Sequence, residues 1–204
     1  MMTKGEEGRG KREEYIVLAS GSPRRHQLLD KLSIRHQVDP AHIDEEPRAG
    51  EDAERLAKRL AREKARAVAG RHPGRWVLGA DTVVTVDGDI LNKPTSPADA
   101  ERMLGRLAGR EHQVVTAVAL ARDGVLHEAC DITGVRFRPV NADLIRAYVA
   151  TGEPLDKAGA YGAQGYGAAL IERIEGDIFG VMGLPLRLVV DLLGKAGRPY
   201  NFTR

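Results

Sequence analysis

The stretch LASGSPRRHQLL, residues 18–29, sets the expected course of the chain near its start. The run YIVLAS, which overlaps it, is short and apolar, as in a strand, and PRRHQLLDKL has a helical pattern. Ser22 is a preferred N-cap residue, and Pro23 suits the first helical position. We therefore predict a strand that turns directly into a helix beginning at these two residues.

Arg24 and Arg25 place two positive charges in the first turn of that helix. A helix N-terminus has unpaired N–H donors and partial positive charge, so it favours acidic residues there. The arginines can lie on a solvated turn at a small cost in stability, or they can form an anion site with the free N–H groups. The turn follows a strand directly, and open α/β sheets bind ligands at the carboxyl ends of strands, which favours a phosphate site.

Composition argues against several classes of protein. The chain has 204 residues, of which 31 are basic and 29 acidic, giving a net charge of +2. This balance gives no support for nucleic-acid or membrane-surface binding, and no apolar run approaches the roughly 20 residues of a membrane-spanning helix. The single cysteine, Cys130, rules out an internal disulfide and suits a reducing compartment. We predict a cytoplasmic protein that binds neither nucleic acid nor membrane.

The order of helical and strand patterns predicts one α/β domain with a mixed sheet, over residues 15–204. Residues 1–14 mix both charges with glycine and are predicted to be a disordered leader. Two β-rich pairs turn at Asp87-Gly88 and Asp123-Gly124, a strong hairpin signal, and residues 36–52 have the composition of a loop. Helices are predicted over residues 54–70, 96–109, 141–154 and 184–197, and a glycine-rich loop with a strand over residues 156–177.

Lys64 contradicts its surroundings in the predicted helix. At about 100° per residue, it falls in the middle of the apolar sector. The members of that sector are Ala53, Leu56, Ala57, Leu60, Ala67 and Val68. The lysine can snorkel to the edge of the sector, or it can point into a cleft where it needs a negative partner. The predicted anion site offers such a partner and favours the second interpretation.

Asp81 is a second unusual charge, because it interrupts two β-rich runs, VLGA and TVVTV. An acid is disfavoured in a strand and costly if buried. It can lie at an exposed edge or turn; otherwise it is expected to bind a cation or to act as a base.

Motifs of several enzyme classes are absent from the sequence. There is no GxxxxGK[ST] and no GxGxxG, which argues against a Walker-type NTPase and a dinucleotide-dependent dehydrogenase. The histidines show no zinc-site spacing, so zinc is not expected. Oxygen ligands near phosphates would favour Mg²⁺ or Mn²⁺.

Eight blocks of this sequence, in order, resemble those of the Maf-type nucleoside triphosphate pyrophosphatases. They are LASGSPRR, IDEE, LAREKA, LGADTVV, NKP, HQVVTAVAL, GEPLDKAGAYGAQG and GLPL. The resemblance extends from Tyr15 to Gly194, and the blocks EPLDKAGAYGAQG and HQVVTAVAL are similar to the branch that hydrolyses dTTP and UTP.

This resemblance implies a Maf/ITPase-like α/β fold, with two lobes around an elongated mixed β-sheet and a deep central cleft. The implied reaction is hydrolysis of a nucleoside triphosphate, dTTP or UTP or a modified pyrimidine nucleotide, to the monophosphate and pyrophosphate. The implied cofactor is a divalent metal cation, Mg²⁺ or Mn²⁺. Members of this family are often dimers, so a homodimer is left open. A rival prediction is a nucleotide-binding regulator of septum formation with little turnover.

Carried over by position, Asp81 is the proton acceptor and, with Glu45, a metal ligand. Positions linked to substrate choice are Arg24, Thr82 and Gln164. The remaining cleft positions are Ser22, Arg25, Lys64 and Lys93. The chain departs from the family at Asn92, where relatives often have glutamate before Lys-Pro.

Gln164 lies in a loop with glycines at 159, 162, 165 and 167, which let the backbone approach a flat ligand closely. Its amide offers one donor and one acceptor, which suits the edge shared by uracil and thymine. The alternative is that Gln164 merely holds the loop together.

Overall fold

The computed structural model describes residues 15–202, and the predicted leader, residues 1–14, lies outside them. The strands within this range are β1 (Ile16–Leu18), β2 (His36–Val38), β3 (Val77–Val86), β4 (Asp89–Leu91), β5 (Glu111–Arg122), β6 (Val125–Phe137) and β7 (Ile171–Glu175). The helices are α1 (Pro23–Lys31), α2 (Ala53–Ala69), α3 (Pro97–Leu107), α4 (Ala142–Ala150), α5 (Ile178–Val181) and α6 (Leu186–Lys195). Three 3₁₀ turns, Glu153–Asp156, Ala158–Ala160 and Tyr166–Leu170, follow α4.

The strands form one mixed sheet in the order β2-β1-β3-β5-β6-β7, with β4 also paired to β3. Strand β1 is parallel to both of its neighbours, and the other pairs are antiparallel. The predicted mixed α/β fold is therefore confirmed.

One edge of β3 is interrupted in the middle of the sheet. Strand β5 pairs with the other edge continuously, from Val77 to Thr85. On the interrupted edge, β1 pairs only with Val77 and Leu78, whereas β4 pairs only with residues 84–86. Within residues 15–202 no strand covers positions 79–83 on that edge. The sheet therefore opens there into two lobes.

Each lobe has its own hydrophobic core. One core contains Ile16, Leu28 and Leu192, and it joins β1, α1 and α6. The other contains Val84, Leu104 and Ile145, and it joins the end of β3 with α3 and α4. Helix α2 lies between them, where its small apolar side chains pack on β3 and β5. This arrangement gives the two lobes that the resemblance implied.

Local signals predicted most of the elements. Both Asp-Gly turns have positive φ at their two central residues, as type I′ hairpins require, and they join β3 to β4 and β5 to β6. Asn141 caps α4, because its side chain accepts a hydrogen bond from the Leu144 N–H.

Four details differ from the sequence-based expectations. His36–Val38 forms an edge strand beside β1, although its polar residues resemble a loop. The short helix α5 was not predicted. Ser22 occupies the N-cap position of α1, but its hydroxyl caps no backbone N–H. On α2, Ala67 is exposed, and Ala61 and Ala65 take its place in the buried face.

Candidate active site

A cavity of about 600 Å³ opens where β3 lacks a partner strand. This volume is within the usual range for a small-molecule site. All of the residues predicted for the site line this cavity: Ser22, Arg24, Arg25, Glu45, Lys64, Asp81, Thr82, Lys93 and Gln164.

Strand β3 supplies Asp81 and Thr82 to the two faces of the sheet, because successive side chains of a strand point in opposite directions. Asp81 meets α2 and is 7% exposed. Thr82 meets the other face, where its Oγ1 lies 3.0 Å from Thr116 Oγ1 and accepts a 3.4 Å hydrogen bond from Arg25. Asp81 therefore lies inside a continuous strand and not at a turn between two strands.

Lys64 points inward from α2 and is 6% exposed, as the helical pattern predicted. Its Nζ donates a 2.6 Å hydrogen bond to Asp81 Oδ1 and lies 2.8 Å from Glu45 Oε1. From the sequence we expected a bound anion as the negative partner. The protein itself provides two carboxylates in that role.

The contact between Lys64 and Asp81 depends on how closely α2 approaches β3. A Cβ atom at Gly79 would lie 2.3 Å from the backbone oxygen of Ala61 and 2.7 Å from the backbone nitrogen of Ala65. Only glycine at this strand position allows the helix to lie so near the sheet.

Burial raises the pKa of the Asp81 carboxyl, although the charges of Lys64 and Arg25 oppose the rise. Burial also raises the pKa of Glu45, but the hydrogen bond and charge of Lys64, with the charges of Lys93 and Arg25, bring it below its ordinary value. Asp81 is thus the more basic of the two carboxylates that share Lys64.

The loop that carries Glu45 is held by Arg59 of α2. Arg59 donates hydrogen bonds of 2.7 and 2.8 Å to the two carboxylate oxygens of Glu51 and one of 3.0 Å to the backbone oxygen of Glu46. It also donates a 3.3 Å bond to Glu63. These bonds fix the residue that follows Glu45 in the chain to the same helix that presents Lys64.

Arg25 is held from three sides by the protein. Its Nε donates a 2.8 Å hydrogen bond to the backbone oxygen of Gly183, and its Nη1 donates a 3.0 Å bond to Ser20 Oγ. Burial lowers the pKa of its guanidinium, and the charge of Asp81 opposes this effect. Arg24 has a looser contact, 3.6 Å from Asp156. The two arginines therefore differ: Arg25 is held by three hydrogen bonds, whereas Arg24 is held by one long ion pair.

Glu153 anchors the glycine-rich loop. Its carboxylate accepts hydrogen bonds from the Tyr148 hydroxyl at 2.9 Å and from the backbone N–H groups of Tyr166 and Gly167 at 2.8 and 3.0 Å. A Cβ atom at Gly165 would lie 2.2 Å from Glu153 Oε2. Glycine here therefore leaves room for the Glu153 carboxylate, so a contact within the protein favours it as well as the expected approach of a ligand.

Gln164 lies at the exposed tip of this loop, and none of the hydrogen bonds among residues 15–202 involves its side chain. The loop is held by Glu153 instead, which disfavours the interpretation of Gln164 as a structural tie. Lys93 is also exposed, and its neighbour Asn92 contacts the glycine-rich loop, because the Asn92 backbone oxygen accepts a 3.2 Å hydrogen bond from the Gly159 N–H.

Glu45 and Asp81 are suited to a divalent metal in number and in chemistry. Both carboxylates contact the same Lys64 Nζ, so their oxygens lie close together at the cavity wall. Mg²⁺ is usually held by one or two carboxylates together with substrate phosphates, which is the donor set that this cavity offers to a phosphorylated ligand.

Several lining residues escaped the sequence argument, among them Ser20, Lys157 and Gly183. Ser20 and Gly183 both accept hydrogen bonds from Arg25. Ser20 is five residues from Arg25 and Gly183 is 158 residues away, and no sequence pattern indicates either contact. Lys157 lies in one of the blocks that resemble the family, but no other feature of the sequence marks it as a site residue.

Among residues 15–202, no helix is long and apolar enough to cross a membrane.

The comparisons with known proteins agree on a family. A family model described as "Maf-like protein" matches residues 15–196. The dTTP/UTP pyrophosphatase of Symbiobacterium thermophilum is 50% identical, over 91% of this chain and 96% of that protein. The dTTP/UTP pyrophosphatase of Myxococcus xanthus is 51% identical, over 92% of this chain and 95% of that protein. The dTTP/UTP pyrophosphatase of Koribacter versatilis is 46% identical, over 89% of this chain and 94% of that protein.

Among solved structures, the Staphylococcus aureus Ham1 protein is similar with a TM-score of 0.47 and 17% identity. The match covers 78% of this chain and 80% of that one, and it is too distant to inform the site.

Proposed function

We propose, because this chain belongs to the Maf-like protein family, that it is a dTTP/UTP pyrophosphatase. It would hydrolyse the bond between the α- and β-phosphates and release the nucleoside monophosphate and pyrophosphate. The similar proteins from Symbiobacterium and Myxococcus carry that activity in their names and match nearly the whole chain.

The observation that carries this proposal is the cluster of Asp81, Lys64 and Glu45 at the open edge of β3. Lys64 contacts Asp81 through Oδ1, and within residues 15–202 no hydrogen bond involves Oδ2. That oxygen is available to take a proton from an attacking water molecule. Because burial raises the pKa of Asp81, its carboxylate is a stronger base than an exposed one.

Positive groups around the cavity support binding of a triphosphate. Arg24, Arg25 and Lys93 line it, and the N-terminus of α1 opens into it beside Ser22. Because the Ser22 hydroxyl caps no backbone N–H, the first N–H groups of α1 can donate to phosphate oxygens. Phosphoryl transfer depends mainly on positioning and on charge neutralisation, which these groups would provide.

Glu45 and Asp81 would hold the divalent metal, Mg²⁺ or Mn²⁺. When bound, this ion would neutralise charge on the phosphates and favour departure of pyrophosphate. Lys64, which contacts both carboxylates, would orient them toward the same point.

Gln164 and Thr82 would contribute to substrate choice. The unpaired amide of Gln164 offers a donor and an acceptor to the edge that uracil and thymine share. Cytosine reverses part of that pattern, so CTP should be a poor substrate.

The domain bounds, the cellular location and the oligomeric state were predicted together with the activity. We propose that residues 15–204 act as one domain, and a cytoplasmic location and a homodimer remain predictions.

The test is product analysis with dTTP, UTP and CTP. We expect pyrophosphate as the first product from dTTP and UTP, and release of orthophosphate from UTP would contradict the proposal. Asp81→Asn should lower kcat by several orders of magnitude while nucleotide binding persists.

The rival prediction, a nucleotide-binding regulator with little turnover, is disfavoured because the matched relatives are named as enzymes. The same variant separates the two. A regulator would keep its effect on septum formation in Asp81→Asn, whereas an effect that requires hydrolysis would disappear.

A further inference from the structure

A second group of metal-binding side chains lies outside the cavity, where α1 meets β2. His26 Nδ1 lies 2.6 Å from His36 Nε2, and His26 Nε2 lies 3.3 Å from Asp30 Oδ2. Taking one ligand atom from each residue, the three atoms lie within 4.8 Å of one another. Sequence spacing could not indicate this group, because His36 comes from a strand and the other two come from a helix.

The orientation of His36 is set by its backbone surroundings. Its Nδ1 lies 2.7 Å from the backbone oxygen of Ile34, which is an acceptor, so Nδ1 carries the proton. Nε2 therefore presents its lone pair toward His26. Metal-binding histidines in proteins commonly have their second nitrogen bonded to a carbonyl in this way.

Helix α1 brings the other two ligands to the same face. His26 and Asp30 are four residues apart, so they are neighbours on the helix surface. Both side chains are at least half exposed, which leaves an ion access from solvent. Two nitrogens bound to a tetrahedral Zn²⁺ at about 2.0–2.1 Å are roughly 3.3 Å apart, so the histidine pair needs to widen by less than about 1 Å.

We propose that His26, His36 and Asp30 form a binding site for a divalent transition metal ion, of which Zn²⁺ is the representative. Two imidazoles and one carboxylate suit Zn²⁺ far better than Mg²⁺, which prefers oxygen ligands. The site is chemically distinct from the carboxylate pair of Glu45 and Asp81, and it does not depend on the proposed hydrolysis.

An ion at this site would connect two elements that both lead to the cavity. Helix α1 carries Arg24 and Arg25, and β2 leads into the loop that carries Glu45. Zn²⁺ would therefore fasten the outer edge of the sheet to the helix whose first turn faces the substrate. Its role would be structural, because the three side chains lie on the outside of the lobe and none of them lines the cavity.

The experiment is a calorimetric titration of the full chain with Zn²⁺ in the presence of excess Mg²⁺, which occupies oxygen-rich sites. We expect one Zn²⁺ per chain, together with an increase in Tm, since an ion that binds only the folded chain stabilises it. His26→Gln, His36→Gln and Asp30→Asn should each weaken Zn²⁺ binding by at least about tenfold, since loss of a direct ligand costs no less than loss of an outer-shell partner. The Tm increase should disappear in the double histidine variant.

His127→Gln is the matched control, because that histidine lies on β6, four strands away from β2 in the sheet, and its ring contacts Trp76 at a centroid distance of 5.6 Å. It should bind Zn²⁺ as the unmodified chain does. Asp81→Asn should also keep the site, which separates it from the cavity. Unchanged Zn²⁺ affinity in the double histidine variant, absence of saturable binding, or loss of binding in Asp81→Asn would each overturn the proposal.

Discussion

Lys64 of α2 donates a 2.6 Å hydrogen bond to Asp81 of β3, and both side chains are buried. The same ammonium lies 2.8 Å from Glu45, so one positive charge serves two carboxylates. Removing one partner of a buried ion pair is costly, because the other charge is left without compensation. The stability of the fold and the basicity of Asp81 therefore depend on the same contact.

Lys64→Met should change both stability and the pH profile. The charge of Lys64 opposes the burial that raises the pKa of Asp81, so its loss moves that pKa further upward. We expect the acidic limb of kcat/KM to move to higher pH and the free energy of unfolding to fall by about 3 kcal/mol. The double variant Lys64→Met/Asp81→Asn should recover much of that stability. Simple addition of the two single losses would show that the residues are not coupled.

Gly79→Ala should separate α2 from β3. The new Cβ would meet the backbone of Ala61 and Ala65, which cannot move aside as a flexible side chain can. We expect the free energy of unfolding to fall by about 1–3 kcal/mol and the activity to be lost. Gly105→Ala in α3 is the control, because no neighbouring atom of the described chain, residues 15–202, lies within 4 Å of its Cβ position. That change should stabilise the chain by about 0.5–1 kcal/mol, measured by denaturant unfolding.

The loop that carries Glu45 should loosen in acid. The hydrogen bond from Arg59 lowers the pKa of Glu51 to about 2, from an ordinary value of 4.5. A group with a lowered folded pKa stabilises the fold above its unfolded pKa, and this contribution is lost as pH falls toward the folded value. We expect the Tm of the unmodified chain to decline as the pH falls from about 4.5 to 2. The Tm of the Arg59→Gln variant should decline less steeply over that interval.

The control for Arg59 is Arg106→Gln. Arg106 pairs with Asp89 at 2.8 Å, but Asp89 is largely exposed, and surface pairs contribute little. Its pH dependence should match that of the unmodified chain. A pH dependence in Arg59→Gln identical to the unmodified chain would mean that the Glu51 contact does not hold the loop.

Gln164→Ala tests how the base is chosen. We expect a loss of about 1–3 kcal/mol in kcat/KM for dTTP and UTP, as for one lost buried hydrogen bond, and a much smaller loss for CTP. Steady-state kinetics on the three nucleotides measures the difference. Equal losses on all three would mean that Gln164 shapes the loop and does not read the base.

Glu153→Gln should lower the activity equally on all three nucleotides. An amide nitrogen in place of one carboxylate oxygen would face a backbone N–H of Tyr166 or Gly167, which puts two donors together. The whole loop would be disturbed, so kcat/KM should fall to a similar extent for dTTP, UTP and CTP. A selective loss on dTTP and UTP alone would show that the anchor acts on base recognition directly.

Local patterns in the sequence predicted those features that depend on neighbouring residues. The Asp-Gly turns have the backbone conformation that their residues favour. Helical periodicity was enough to predict that Lys64 points inward. Periodicity says which way a side chain points but not what it meets. The two carboxylates beside Lys64 come from other elements, so the expected anionic partner was replaced by partners within the protein.

Contacts between distant segments account for the remaining differences. The polar segment His36–Val38 becomes a strand because it pairs with the free edge of β1. Gly165 leaves room for the carboxylate of Glu153, which is twelve residues away in the chain and packs against it. The His26, Asp30 and His36 group likewise exists only because α1 and β2 lie side by side.

The open edge of β3 has a mechanical consequence. Strands β3, β5 and β6 run without interruption past the gap and into both lobes, so they form a continuous three-stranded ribbon in which one edge of β3 is unpaired at residues 79–83. Lobes joined by a hinge can rotate through changes in a few backbone angles. Here a continuous ribbon of paired strands joins the lobes, and its ladder of hydrogen bonds resists bending. The width of the cleft is therefore set largely before substrate arrives. Adjustment to a nucleotide is left to side chains at the rim that the protein holds weakly or not at all, Arg24 and Gln164.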